Sequence, residues 1–187
     1  MPKSTTPAPP SSRPASPSTG PSILLVDDVP ANLFALECIL TPLGHRLVRA
    51  ASGQEALRCV LDEDFAVILL DVRLGDMTGV EVLTLLRARE RSRRTPVILL
   101  TADDGDTPTL QPAYSMGSVD YLRKPLVSEL LRAKVSLCVE LHATREALRR
   151  QESRVRELST QLQAAHRELE SRRPGGAPLP PEAALPE

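Results

Sequence analysis

Residues 65–71, FAVILLD, form an uninterrupted apolar run that ends at a single carboxylate, Asp71. A run of this length, rich in branched residues and without helical spacing, predicts a strand that is buried on both faces, as in parallel sheets. Asp71 then lies at the C-terminal end of the strand. In open α/β sheets ligands bind at this edge, so the stretch predicts both the fold class and the place of the chemistry.

Four further runs have the length of strands, and helical patterns separate them. Three of these runs lead directly into polar residues: 23–26 into Asp27-Asp28, 96–100 into Thr101-Ala102, and 119–122 into Arg123-Lys124-Pro125. The run at 45–50 carries no such residue. Five strands joined by crossovers of a dozen or more residues predict an α/β fold, with a parallel sheet covered on both faces.

The helices between the strands show start and stop signals. Pro30 opens the first helix, which ends near Pro42 and Gly44, and Ser52 stands three residues before Glu55 with capping-box spacing. A single side of the first helix is predicted to carry Leu33, Leu36, Cys38, Ile39 and Leu40. Pro112 falls inside the pattern that starts at Thr107-Pro108, so the fourth helix is expected to be short or kinked.

The last helical pattern begins at Lys124-Pro125 and has no stop signal before Pro174. Apolar residues follow a seven-residue spacing along it: Leu141, Leu148, Val155, Leu162 and Leu169, with Leu158 and Ala165 between them. This spacing predicts a coiled coil, and a parallel homodimer is the favoured interpretation. Thr144 and Gln151 interrupt the seam, so a single solvated helix held by Glu and Arg pairs remains the alternative.

Composition limits the possible classes of protein. The net charge of −1 gives no general attraction to nucleic acid, and no run approaches the length of a membrane span, which predicts a cytoplasmic protein. Three widely spaced cysteines are interpreted as buried free thiols: Cys38, Cys59 and Cys138. The Pro-rich segments 1–21 and 174–187 are expected to be disordered tails.

The strand ends carry an ordered set of residues: an acidic pair, an acceptor Asp, Thr-Ala, and Lys-Pro with Tyr121 three residues before the Lys. In this set the sequence resembles the receiver domain of bacterial two-component response regulators. The resemblance covers residues 22–140, which leaves 141–173 as a helical, coiled-coil extension. It implies a flavodoxin-like, doubly wound sheet of strand order 2-1-3-4-5. It also implies phosphorelay signalling, with a sensor histidine kinase or a phosphotransfer protein as the partner.

The resemblance also assigns roles to individual residues. Asp71 would be the phosphoacceptor, and Mg²⁺ would be bound by Asp28, Asp71 and the backbone carbonyl of Arg73, with Asp27 acting through water. Lys124 would neutralise the phosphoryl oxygens, Thr101 would donate its hydroxyl, and Tyr121 would be the aromatic that moves in the switch. Three carboxylates at one sheet edge repel one another unless a cation lies between them, and Mg²⁺ prefers such oxygen ligands.

Each of these residues also has an ordinary explanation. Asp27 and Asp28 could cap the first helix, and Thr101 could be a strand-end hydroxyl. Lys124 could be a surface cation and Tyr121 a half-buried strand aromatic. Only the whole set favours a site. The loop departs from the family, because Leu74-Gly75 and Thr78-Gly79 stand where Met-Pro and Asp-Gly are usual, so Gly75 is expected to loosen it.

The favoured hypothesis is a receiver without a DNA-binding or catalytic effector domain, which catalyses only its own phosphorylation and dephosphorylation. It would signal to a downstream protein through its coiled coil, without nucleic acid or membrane; the chain could also be a trimmed relative of hybrid kinases. One alternative is a phosphohydrolase with Asp71 as nucleophile, although Arg73 stands where a second acid is usual. Another is a scaffold that is never phosphorylated.

Overall fold

The computed structural model describes residues 20–102 and 119–172. The fourth helix expected around Pro112 and nearly all of the two Pro-rich tails lie outside these ranges. The chain divides into two compact units, Met1–Ala143 and Thr144–Glu187. The first unit contains the sheet and the second is helical in its described part, up to Arg172.

Strands and helices alternate along the first unit as expected. The strands are β1 Ser22–Val26, β2 Arg46–Ala50, β3 Phe65–Asp71, β4 Val97–Thr101 and β5 Val119–Arg123. The helices are α1 Pro30–Leu40, α2 Gly53–Asp62, α3 Gly79–Arg87 and α4 Ser128–Arg172, and a 3₁₀ turn at Thr41–Leu43 follows α1. All strand pairs are parallel and the order is β2-β1-β3-β4-β5, which confirms the predicted fold.

Strand β3 lies in the middle of the sheet, and each of its seven residues is buried. From Val67 to Leu70 its side chains alternate between two hydrophobic clusters, one on each face, whereas Ala66 and Val67 belong to the same cluster, beside a shift in the β1–β3 register. One cluster contains residues of α2 and α3, and the other contains residues of α1 and of the first turns of α4. A continuous apolar run is therefore what this position requires, because both faces of the strand are covered.

Local signals explain where the helices begin. Pro30 occupies the first turn of α1, and the Ser52 hydroxyl accepts a hydrogen bond from the Glu55 N–H at 3.1 Å, as its spacing predicted. Helix α3 begins with a full capping box, in which Thr78 and Glu81 bond each other's backbone N–H groups. This capping box was not predicted, although the sequence T-x-x-E contains its pattern.

Two helix predictions are corrected by the structure. The buried residues of α1 are Leu33, Leu36 and Leu40, whereas Cys38 is exposed, because residues two apart on a helix lie on different sides. The prediction of buried cysteines is wrong, because Cys59 and Cys138 are of intermediate burial and Cys38 is exposed; none of the three forms a disulfide. The last helix begins at Ser128 rather than at Pro125: its first described backbone bond runs from the Leu131 N–H to the Val127 carbonyl at 3.0 Å.

Helix α4 contains 45 residues, the last 29 of them in the second unit. Within the ranges 20–102 and 119–172, no helix is both long and apolar enough to span a membrane.

Candidate functional site

The carboxyl ends of four neighbouring strands meet at one edge of the sheet. Val26 pairs with Leu70, so Asp27 and Asp71 follow at adjacent positions on β1 and β3. Asp71 itself pairs with Leu100, which places Thr101 one residue further along β4. Lys124 follows the last residue of β5 and donates its backbone N–H to the Thr101 carbonyl at 2.7 Å.

Three carboxylates and one ammonium group occupy this edge. Ligand oxygens of Asp27, Asp28 and Asp71 all lie within 4.8 Å of one another. The Lys124 Nζ donates to Asp71 Oδ2 at 2.6 Å and to Asp27 Oδ2 at 2.8 Å. Asp27 and Asp71 are buried, whereas Asp28 is exposed. Four of the predicted site residues thus lie together: Asp27, Asp28, Asp71 and Lys124.

The Asp27 carboxylate is held by several donors. Its Oδ1 accepts from the Val29 N–H at 2.9 Å, and the Asn32 side-chain amide donates to both of its oxygens, at 2.9 and 3.0 Å. With Lys124, these bonds occupy most of the lone-pair directions of the carboxylate. Asp27 is therefore suited to orienting Lys124. Asn32 was missed in the sequence because nothing marks it apart from its place in the first turn of a helix.

Burial and hydrogen bonding act in opposite directions on these groups. Burial alone would raise the pKa of Asp27, but the bonds from Lys124, Val29 and Asn32 outweigh it and lower that pKa. At Asp71 burial prevails over Lys124 and the Arg73 N–H, so its pKa is raised. Burial would lower the pKa of Lys124, but the two carboxylates raise it. The lysine is thus held as a cation between them.

The loop that follows β3 packs tightly against Asp71. The Arg73 N–H donates to Asp71 Oδ1 at 3.2 Å, and Arg73 forms an antiparallel bridge with Thr78. Gly79 donates its N–H to the Val72 carbonyl at 2.8 Å, and a Cβ at Gly79 would lie 2.2 Å from the Asp71 carbonyl oxygen. Only glycine fits there, because the nearest atoms belong to the backbone. The loop is thus closed at its base, although Gly75 led us to expect a loose one.

Thr101 and Tyr121 lie on β4 and β5. Thr101 is buried at the same edge as Asp71, and Ala102 beside it is exposed. Tyr121 pairs with Leu99 and is 48% exposed, so this aromatic lies at the protein surface.

The chain matches the model of a known protein family. The model described as "Response regulator receiver domain" matches residues 23–136, which is more than half of the chain. The chain belongs to this family. Receiver domains act in two-component signalling, interact with histidine kinases and are typically signalling proteins rather than enzymes.

Several known proteins share the receiver domain. The chain is 38% identical over 115 residues to the transcriptional regulatory protein AfsQ1 of Streptomyces coelicolor. This match covers 62% of this chain and 49% of AfsQ1. It is 34% identical over 145 residues to the response regulator PleD of Caulobacter vibrioides, covering 78% of this chain and 32% of PleD. The chain thus spans half or less of the length of these relatives.

Among solved structures, the receiver domain of the sensor histidine kinase PA1611 from Pseudomonas aeruginosa is 34% identical, with a TM-score of 0.59. The match covers 65% of this chain and 98% of that one, and that structure has a magnesium ion coordinated in its active-site cleft. The chemotaxis protein CheY4 of Vibrio cholerae is 28% identical with a TM-score of 0.59, covering 64% of this chain and 98% of CheY4.

The residues of this receiver domain fit a divalent cation. Three carboxylates against one ammonium leave a net charge of −2 at the edge. Asp28 is exposed, and one of its oxygens lies within 4.8 Å of an oxygen of Asp27 and of Asp71. Mg²⁺ prefers hard oxygen ligands and is usually bound through one or two carboxylates together with water or phosphate oxygens. The acidic cluster is thus suited to Mg²⁺.

Proposed function

We propose that this receiver domain accepts a phosphoryl group on Asp71 from a histidine kinase or a phosphotransfer protein. The observation that carries the proposal is the position of the Asp71 carboxylate. It lies at the end of the central strand, 2.6 Å from the Lys124 ammonium and within 4.8 Å of two further carboxylates. Such a group can act as nucleophile where fixed charges stabilise the transferred phosphoryl group.

In the proposed step, a carboxylate oxygen of Asp71 attacks the phosphorus of a phosphohistidine. The P–O bond forms as the P–N bond breaks, and the imidazole leaves with the electron pair. Lys124 neutralises charge on the phosphoryl oxygens, and the Thr101 hydroxyl donates to one of them. Mg²⁺, bound by Asp28, Asp71 and the Arg73 carbonyl with Asp27 acting through water, would supply further positive charge there.

The charge added to Asp71 biases a conformational switch. We propose that Thr101 moves toward the phosphoryl group and that Tyr121 follows it. The 48% exposure of Tyr121 supports this role, because burying the ring would change the exposed surface of β5.

Incubation of the chain with acetyl phosphate and MgCl₂, followed by intact-mass measurement, tests the proposed function. We expect one phosphoryl adduct per chain, mapped to Asp71, which disappears when the Mg²⁺ is chelated before the donor is added. Steady release of phosphate without an adduct would instead indicate a phosphohydrolase. Neither adduct nor turnover would indicate a scaffold that is not phosphorylated.

We propose further that α4 joins two copies of the chain. Every exposed large hydrophobic residue of this helix, within its described side chains, falls in one heptad frame: Leu130, Leu137, Leu141, Leu148, Val155, Leu158, Leu162 and Leu169. The frame continues the seven-residue spacing of the extension back into the first unit. Leu131, Val135 and Val139, which pack on the sheet, lie outside it. The helix thus carries one face for the sheet and another for a partner.

One pair of charges beside this seam favours a second, parallel copy as the partner. In a parallel coiled coil, the residue just before each core position of the series 141, 148, 155, 162 and 169 lies near the residue five places later on the other helix. Glu140 and Arg145 stand in this relation and both are exposed, so each would face the opposite charge on the second copy. We therefore propose a homodimer as the form in which the protein signals to a downstream protein.

Replacement of both Leu158 and Leu162 by Glu should separate the dimer. Burial of one leucine contributes about 1.5–3 kcal/mol, and two copies lose four leucines, about 6–12 kcal/mol in all, so the dissociation constant should rise at least about ten-thousandfold. Sedimentation equilibrium measures this change. Leu61→Glu is the matched control, because Leu61 is 55% exposed on α2 and should leave the dimer intact. A monomeric wild-type chain would contradict the proposal.

A further inference from the structure

The loop between β3 and α3 is attached to a second helix through one carboxylate. Asp76 Oδ1 accepts a hydrogen bond from the Gly53 N–H at 2.9 Å, and Asp76 Oδ2 accepts one from the Gln54 N–H at 3.0 Å. These are free backbone donors at the N-terminus of α2, where negative charge is favoured. The same two bonds hold the pKa of Asp76 below its usual value, so the group is ionised at neutral pH.

The tip of this loop passes beside the acidic cluster. A Cβ at Gly75, the residue before Asp76, would lie 3.4 Å from Asp28 Oδ2. At the other side of the loop, the Arg73 N–H contacts Asp71 Oδ1. The backbone at Arg73 and Thr78 closes the base of the loop, but of the described contacts only those of Asp76 attach the tip to a helix through hydrogen bonds.

We propose that Asp76 is a positioning residue for the site at Asp71. By holding the loop tip on α2, it keeps the backbone of Arg73 against the acceptor carboxylate and keeps Gly75 beside Asp28. Asp76 replaces the stiffness that Gly75 removes from the loop, since a glycine has the largest range of backbone conformations. The inference rests on the proposed function, because it assigns Asp76 to the phosphoryl-accepting site.

The N-terminus of α2 offers a matched control. Ser52 also caps this helix, through the bond that its hydroxyl accepts from the Glu55 N–H, but Ser52 belongs to α2's own chain segment and does not attach the loop. Asp76→Ala and Ser52→Ala therefore both weaken the start of α2, and only Asp76→Ala releases the loop. Asp76→Asn retains one acceptor oxygen and should give an intermediate result.

Three measurements on the full chain distinguish the roles: amide hydrogen exchange of residues 72–79, calorimetric titration with MgCl₂, and the rate of labelling by acetyl phosphate. For Asp76→Ala we expect at least tenfold faster exchange in the loop, with three- to tenfold weaker Mg²⁺ binding and slower labelling. For Ser52→Ala we expect a similar fall in Tm, with all three quantities within twofold of wild type.

Equal effects of Asp76→Ala and Ser52→Ala on the loop and on Mg²⁺ binding would show that Asp76 only caps α2, and would overturn the proposal. A failure of the proposed function is recognised separately, because the wild-type chain itself would then acquire no phosphoryl adduct. In that case hydrogen exchange and Mg²⁺ binding still decide whether Asp76 positions the loop.

Discussion

Asp71→Asn should abolish labelling by acetyl phosphate and leave the fold at least as stable as that of the wild-type chain. The amide cannot act as the nucleophile, so no adduct can form at this position. Stability should be kept because burial raises the pKa of Asp71. An acid of raised pKa favours folding most when it is protonated, and this contribution is lost as the pH rises through the folded-state pKa.

The neutral amide therefore removes an unfavourable charge at neutral pH, while its oxygen can still accept from Lys124. Intact-mass measurement after incubation with the donor, together with thermal unfolding followed by circular dichroism, tests both halves of this prediction. Asp64→Asn is the matched control, because Asp64 is exposed on the surface and pairs with Arg91. Residual labelling of Asp71→Asn would show that another residue accepts the phosphoryl group.

Lys124→Met should lower both stability and reactivity. The substitution keeps an apolar stem but removes the cation between Asp27 and Asp71. Breaking a fully buried pair costs about 3–5 kcal/mol, and this site is partly open and keeps other donors to Asp27, so we expect a loss of about 2 kcal/mol. Labelling should slow about 10²- to 10³-fold, as when one preorganised group is removed from a charge-stabilising site.

Mg²⁺ should raise the Tm of Lys124→Met more than that of the wild-type chain. Without the ammonium, the three carboxylates have no internal cation, so a bound divalent ion relieves more repulsion. Arg91→Met provides the control, because Arg91 pairs with Asp64 at the surface, where such a pair contributes less than about 1 kcal/mol. An equal response of both variants to MgCl₂ would contradict an acidic metal site at Lys124.

Much of the fold could be predicted because most of its strands are short, continuous apolar runs in the sequence. The seven residues of β3 are all apolar up to Asp71, and the structure buries every one of them. Parallel strands bring their carboxyl ends to one edge, so Asp27, Asp71 and Lys124 could be placed together without coordinates. The strand order came from the family resemblance, since right-handed crossovers alone allow more than one order.

The contacts that support the site could not be predicted in the same way. Asn32 and Asp76 bind groups that no pattern marks, and the donors to Asp76 lie 22 and 23 residues earlier in the chain. Cys38 was placed on the wrong side of α1 because apolar character was given more weight than helical spacing. The capping box of α3, by contrast, was readable from Thr78 and Glu81 and was overlooked.

The short connection between Lys124 and α4 has a consequence for signal transmission. Only Pro125, Leu126 and Val127 separate the ammonium-bearing residue from Ser128, where the 45-residue helix begins. Because three residues allow little independent movement, a displacement of Lys124 by a phosphoryl group on Asp71 would also displace the N-terminus of α4. Phosphorylation of Asp71 and the signal carried by α4 would then depend on the same three-residue connection.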